Sequence, residues 1–232
     1  MSAGDEFLGK AAMLHPAPVP LGDQAALYYL ADELAAARFA TAVRAVDPPG
    51  LLDVVQAYTS VAVYFDLDQT TLAEIGRQLQ EVTFDDRSGP PPGKHHRIPC
   101  CYELQLDLAR VARDTNLSEQ DVIRLHAATE YTVYAIGFCP GFPYLGYLPP
   151  ALAGTPRLEK PRVRVAPGSV GMTGRQTGIY PLERPGGWNL IGRTPLELVN
   201  VADGYFPLRT GDRVRFEAID SDEFVRLQGE RL

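Results

Sequence analysis

Between Gly137 and Pro195 lie 21 glycines and prolines, about half of the 21 Gly and 20 Pro in the 232-residue chain. A long helix is excluded there. Proline removes a backbone donor, and glycine adds to the entropy lost when the backbone is fixed. Short strands joined by tight turns remain, the pattern of a sandwich or barrel. The segment also holds seven bases (Arg157, Lys160, Arg162, Arg164, Arg175, Arg184, Arg193) against two acids, Glu159 and Glu183, so it carries +5 within a chain of net −7. Phe138, Phe142, Tyr144, Tyr147, Tyr180 and Trp188 share it. Turns, bases and aromatics on a rigid scaffold suit a binding site. They equally suit a loop-rich barrel with solvated arginines, and composition alone does not choose.

The rest of the chain divides in two. Residues 1–14 lack any period and read as a tail. The spacing predicts a strand at Ala25–Leu30, a helix over 33–46 capped by Asp32, strands at Leu51–Tyr58 and Ser60–Phe65, and a second helix from Thr70 or Thr71 to Val82. These make a small α/β domain over 15–84. Three consecutive prolines mark 85–97 as an extended linker. A mostly-β domain follows over 98–232. It opens with a strand at Ile98–Tyr102, a helix over Leu106–Asp114 and a helix through Ala128 started by Ser118 and Asp121. Strands at Tyr131–Phe138 and Arg213–Ile219 bracket the turn-rich segment.

Several function classes are set aside. Net acidity argues against nucleic-acid and membrane-surface partners. No run of 18 apolar residues suggests a transmembrane helix, and the acidic N-terminus is unlike a signal peptide, so a cytoplasmic protein is expected. Three cysteines give neither a disulfide framework nor a four-ligand zinc site, and no metal is expected. Gly4–Lys10 has the shell of a phosphate-binding loop, but Ala11 replaces the Ser or Thr that would hold magnesium. Gly137–Gly141 mimics a nucleophile elbow around Cys139, yet Pro140 lacks the N–H that would hold an oxyanion, so a buried turn cysteine is the better reading. His95 and His96 read as solvated linker residues.

Other residues stay open. His126 lies on the Val122 face of its helix, so it points inward or toward a barrel mouth, as a catalytic group or as a hydrogen-bonded structural histidine. The glycines from Gly168 to Gly178 could form a backbone anion nest. Arg162 and Arg193 could fork a carboxylate or phosphate, or be surface arginines.

Two runs carry a resemblance: GFCPGFPYLGY from Gly137 to Tyr147, and PRVRVAPGSVGMTGRQTGIYPLERPGGWNLIGRTP from Pro161 to Pro195. Together with Leu21-Gly22-Asp23, Ala57-Tyr58-Thr59-Ser60, Ile98-Pro99-Cys100-Cys101-Tyr102 and His126 before Glu130-Tyr131, the sequence resembles the family of 5-oxoprolinase B subunits, also labelled allophanate hydrolase subunit 1. The resemblance spans roughly residues 19–220. It implies an α/β domain followed by a cyclophilin-like β-barrel. It further implies a protein that works with A and C subunits of the 5-oxoprolinase to open the lactam of 5-oxoproline to glutamate, with ATP used by the assembled complex.

The matching motifs nominate His126 as a catalytic residue. Phe142, Tyr144, Arg162, Gln176, Tyr180, Trp188 and Arg193 are nominated as substrate-binding residues for a small anionic substrate. One departure stands out. Cys101-Tyr102 runs through Glu103–Leu106 straight to Asp107-Leu108, where the family pattern has a glycine-containing loop; any anion nest of that loop is lost. Two relatives supply alternatives: a biotin-dependent carboxyltransferase half-site of a urea carboxylase, and a non-enzymatic inhibitor of a sensor histidine kinase. The +5 segment favours an anionic substrate over neutral urea.

Overall fold

The computed structural model describes residues 17–82 and 92–232. The tail over 1–14, the Gly4–Lys10 motif and linker residues 85–91 lie outside the described residues. Contacts divide the chain into two compact units, Met1–Pro90 and Pro91–Leu232.

In the first unit the local signals act as the sequence predicts. Asp32 accepts a hydrogen bond from Ala35 N–H at 2.7 Å and starts α1 (Glu33–Val46). Asp47 ends it in the left-handed region. Thr71 and Glu74 form a reciprocal capping box for α2 (Leu72–Gln80). Strands β1 (Val19–Pro20), β2 (Ala25–Tyr29), β3 (Leu51–Ala57) and β4 (Ser60–Phe65) form an antiparallel sheet in the order β1-β2-β4-β3. Alternation along β4 turns Val61, Val63 and Phe65 onto Tyr28, Phe39, Ile75 and Leu79.

The second unit is a closed, cyclophilin-like barrel. Its strands are β5 (His95–Cys101), β6 (Glu130–Ile136), β7 (Pro143–Gly146), β9 (Ser169–Thr173), β10 (Gln176–Ile179), β12 (Asn189–Arg193) and β13 (Arg213–Ile219). They close in the order β10-β7-β6-β13-β5-β12-β9, which leaves no open edge. β8 (Arg162–Val165) and β11 (Arg184–Gly186) pair as a separate ribbon. Helices α3 (Leu108–Thr115) and α4 (Glu119–Ala128) lie between β5 and β6 in sequence, and α5 (Ser221–Arg226) follows β13. The interior is filled by Ile98, Val133, Leu145, Val170, Ile191 and Phe216. Gly192 is required at one close approach: a Cβ there would lie 2.6 Å from Cys100 Sγ and 3.2 Å from the Cys101 carbonyl oxygen.

The structure departs from expectation at three places. β5 takes in His95–Arg97, residues that the sequence places in the linker, because Arg213–Ile219 supplies a parallel partner along its whole length. Hence His95 and His96 belong to a barrel strand and not to the linker; His95 stays exposed, as a solvated residue would, while His96 is largely covered. His95 Nδ1 lies 3.3 Å from Glu130, and His96 Nε2 lies 3.0 Å from Asp212. β6 stops at Ile136, and Phe138 instead adopts a φ of 66° in the following turn. Third, α5 extends the chain past the last expected strand; Asp220 caps it through Glu223 N–H at 2.8 Å.

Candidate functional site

Phe142, Tyr180, Trp188, Cys139, Val165 and Leu190 form an apolar cluster separate from the barrel interior, with Tyr144 packed against it. Phe142 is the hub. Its ring centroid lies 4.9 Å from Tyr144, 5.2 Å from Tyr180 and 5.5 Å from Trp188, all edge-on. Edge-to-face pairs of this kind contribute about 0.5–1.5 kcal/mol each beyond burial. Four nominated residues are therefore brought together: Phe142, Tyr144, Tyr180 and Trp188. Phe138, passed over by the sequence, is 58% exposed and stands edge-on to Phe142 at 5.4 Å and Tyr180 at 6.2 Å.

Glycine makes this packing possible. A Cβ on Gly178 would sit 2.7 Å from the Pro143 carbonyl oxygen, 3.0 Å from Trp188 and 3.1 Å from Phe142. Gly178→Ala is therefore expected to cost about 1–3 kcal/mol by overpacking. Trp188 is the sole tryptophan, so the disturbance should also appear as a shift in its fluorescence. An unchanged spectrum and midpoint would show that the cluster yields freely.

Positive charge borders the cluster. Burial raises the Tyr180 hydroxyl above its ordinary value, against the Trp188 N–H and the charges of Arg157 and Arg162. The same contest, burial against Arg157, raises Tyr144. Arg184 faces Cys139, whose thiol burial also pushes up. A raised thiol in a turn without an oxyanion donor is no nucleophile.

Arg162 is the best-placed of these bases. Its Nη2 donates to Asp107 Oδ1 at 2.7 Å, while its Nη1 is buried with no hydrogen-bond partner among the described residues. Asp107 Oδ2 in turn accepts from Leu190 N–H at 2.7 Å. Asp107 stands at the N-cap of α3 but makes no side-chain cap bond. Its carboxylate instead ties α3 to the β8–β11 ribbon and to β12. An unsatisfied buried guanidinium nitrogen is a donor directed at no protein group, and such groups are rare enough to need a reason.

Two nominated residues stand apart. His126 is fully buried inside the barrel, with both ring nitrogens engaged: Nδ1 with the Tyr102 hydroxyl at 2.7 Å and Nε2 with Thr177 Oγ1 at 2.9 Å. Thr177 donates its own hydrogen to the Gly171 carbonyl at 3.0 Å, so it accepts from Nε2–H, and Nδ1 accepts from Tyr102. Burial pushes His126 down to about 3. Full burial and two engaged ring nitrogens fit the hydrogen-bonded structural reading of this histidine better than the catalytic one. Arg193 is also occupied elsewhere, donating to the Pro167 carbonyl at 2.9 Å and lying over the Phe224 ring at 5.8 Å. None of these contacts joins Arg193 to Arg162. Gln176 is half-buried at the start of β10, opposite Gly146 and Thr173.

The glycine run is not an anion nest either. Gly168 N–H donates to the Tyr180 carbonyl at 2.7 Å and Gly174 N–H to that of Thr155 at 2.8 Å, so these amides are spent inside the protein. Among the described residues no group of three or more His, Cys, Asp or Glu could hold a metal ion. Nor is any helix among them long and apolar enough to cross a membrane.

Residues 17–205 match the family described as carboxyltransferase domain, subdomain C and D. The chain is 39% identical over 202 residues to the 5-oxoprolinase B subunit of Escherichia coli O157:H7, covering 86% of this chain and 87% of that protein. It is 36% identical over 193 residues to the 5-oxoprolinase B subunit of Bacillus subtilis, covering 76% and 79%. Among solved structures, that of TTHA0988 superposes with a TM-score of 0.74 at 35% identity over 85% of this chain, which spans 40% of that longer one. A barrel of this topology with these motifs on its turns, matched along most of the length of both curated relatives, places the chain in the carboxyltransferase-domain family of the 5-oxoprolinase B subunits.

Proposed function

We propose that this chain is the B subunit of an ATP-dependent 5-oxoprolinase, acting with A and C subunits to open the lactam of 5-oxoproline to glutamate. The observation that carries the reading is the match over 87% of the length of a 5-oxoprolinase B subunit. The chemistry of the cluster supports it. 5-Oxoproline is a small, flat ring bearing one carboxylate, and the cluster pairs aromatic walls with a guanidinium whose Nη1 is unpartnered. In this reading Arg162 binds the carboxylate, Asp107 sets the plane of the guanidinium, and Phe142, Tyr144, Tyr180 and Trp188 hold the ring. Gln176 orients the lactam amide. Water is kept from the ring by the same aromatics, which strengthens every charge interaction inside.

ATP, when bound to the assembly, supplies phosphorylation of the lactam oxygen and so activates the ring carbon toward water. The glycine-rich run of this chain does not fit a triphosphate, because its amides already bond protein carbonyls. In this reading the nucleotide is bound elsewhere in the assembly.

The test is 5-oxoproline-dependent phosphate release from ATP by this chain, alone and mixed with candidate A and C subunits. Activity is expected only in the mixture. Arg162→Gln should lower kcat/KM about 10- to 100-fold, the worth of a charged hydrogen bond to a carboxylate. Silence from a mixture of folded subunits would overturn the reading. Carboxyl transfer, the activity in the family description, would then stand first, with biotin as the carrier in that reading.

A further inference from the structure

The border of the aromatic cluster carries more unspent donors than one carboxylate needs. Two of them are guanidinium groups whose backbones are fastened to the cluster. Arg157 lies between Pro156, whose carbonyl accepts from Asn189 Nδ2 at 2.9 Å, and Leu158, whose N–H donates to the Gly187 carbonyl at 2.8 Å. Both bonds tie its loop to the residues on either side of Trp188. Arg184 stands on β11 opposite Val165, a member of the cluster, and its side chain meets the Cys139 thiol.

Neither guanidinium has an ion-pair partner among the described residues. Arg184 donates once, to the neighbouring Glu183 carbonyl at 3.0 Å, while the Glu183 carboxylate lies 3.7 Å from Arg164. Glu159 is exposed beside Lys160. The ionised groups that act on Tyr144, Tyr180 and Cys139 are Arg157, Arg162 and Arg184, with no carboxylate among them. The Tyr144 hydroxyl is a further donor, since burial keeps its proton on and it has no hydrogen-bond partner among the described residues. One carboxylate on Arg162 does not use this second set.

We propose that Arg157, Arg184 and the Tyr144 hydroxyl form a phosphoryl subsite, so that the cluster takes a flat ring bearing both a carboxylate and a phosphate group. This assignment rests on the reading in which Arg162 holds the carboxylate of 5-oxoproline. It makes the phosphorylated lactam, and not the free one, the form that this chain recognises. Guanidinium groups suit phosphate because they present planar, paired donors. Two of them balance a dianion.

Titration of the intact chain with 3-phosphonobenzoate and with benzoate, followed by the fluorescence of the sole tryptophan, Trp188, tests this. Both probes present a flat ring and a carboxylate, and only the first adds a phosphonate. Saturable binding of 3-phosphonobenzoate is expected, about tenfold or more tighter than that of benzoate. Arg157→Gln and Arg184→Gln should each weaken it about tenfold, the loss of one charged hydrogen-bond donor, and leave benzoate unchanged. Arg162→Gln should weaken both probes. Arg164→Gln, on the same ribbon but paired with Glu183, should weaken neither. Arg157 and Arg184 are exposed, so their Gln variants should keep the melting midpoint of the parent. Equal affinity for the two probes, or a loss with Arg164→Gln as large as with Arg157→Gln, would overturn the phosphoryl subsite and leave Arg162 its carboxylate. Binding of neither probe, or binding of both that survives Arg162→Gln, would overturn the reading of Arg162 and the subsite with it.

Discussion

Asp107→Ala is expected to lower the unfolding free energy of the barrel unit by about 3 kcal/mol, because it strands two groups at once. The first is the Arg162 guanidinium, which would keep its charge and lose its counter-ion. The Asp107 side chain is 9% exposed and that of Arg162 is 25%, so the pair is neither a surface bridge nor a fully dry one. An exposed pair would be worth under about 1 kcal/mol, and breaking a buried one costs about 3–5 kcal/mol. Partial exposure discounts that range. The second group is Leu190 N–H, which gives up a 2.7 Å bond to a carboxylate. The melting midpoint should fall by roughly 6–12 °C for a unit of this size. Trp188 fluorescence follows the right unit, since no other tryptophan is present. The double variant Asp107→Ala/Arg162→Ala should be less destabilised than the two single changes added together, because the stranded charge is removed with its partner. A loss below about 0.5 kcal/mol would mark Asp107–Arg162 as an ordinary surface contact.

What could be read from the sequence follows the range of the forces involved. The first unit was legible because its signals are local: Asp32 and Thr71 cap helices within three residues of themselves. The parallel pairing of His95–Cys101 with Arg213–Ile219 joins segments more than a hundred residues apart. No local pattern announces it, and the proline-rich stretch before it suggested a linker running too far. The barrel itself was foreseen from turn density and from family resemblance, not from any strand pattern that predicts its order.

The site divides in the same way. Phe142, Tyr144, Tyr180 and Trp188 lie within 47 residues of chain, in the turn-rich segment that composition marks and whose motifs nominated them. Asp107 was missed because the sequence places it inside a helix over Leu106–Asp114, where it is one first-turn residue among others. Only the fold shows that its carboxylate is diverted to Arg162 and Leu190. Arg193 shows the converse: its Nε donates to the Pro167 carbonyl, a long-range contact invisible in the motif. A signal for Asp107 did exist in the shortened 102–107 segment. With no glycine loop there, Asp107 follows Tyr102 closely, and its carboxylate accepts from Arg162 and from Leu190 N–H.

Acidification from pH 7.5 to 5 should cost the barrel unit about 2 kcal/mol through His126 alone. Burial lowers this histidine from 6.5 to about 3 in the folded state. In the unfolded chain the ring is solvated and takes a proton near 6.5. The unfolded state therefore binds more protons throughout that interval, and stability rises with pH across it. The contribution is intact above about 6.5 and is lost at roughly 1.4 kcal/mol per pH unit below, levelling off near pH 3. Nothing packed on the ring offsets the penalty. Tyr102 and Thr177 hold its nitrogens, Phe216 stacks on its face at 4.6 Å, and Tyr131 is tilted against it at 5.3 Å. No carboxylate is among these neighbours. Burial holds the Tyr102 and Tyr131 hydroxyls well above their ordinary values, so both stay protonated and neither can neutralise an imidazolium. Unfolding followed by Trp188 fluorescence between pH 7.5 and 5, in the parent and in His126→Gln, isolates the effect from that of the surface carboxylates. The parent should lose about 2 kcal/mol more than the variant over that interval. Should His126→Gln fail to fold, the ring resonances of the parent decide the matter. They should keep the neutral-form shift down to pH 4 while the protein stays folded. A midpoint near 6.5 would show that the ring reaches water, and would return His126 to the catalytic role that its burial argues against.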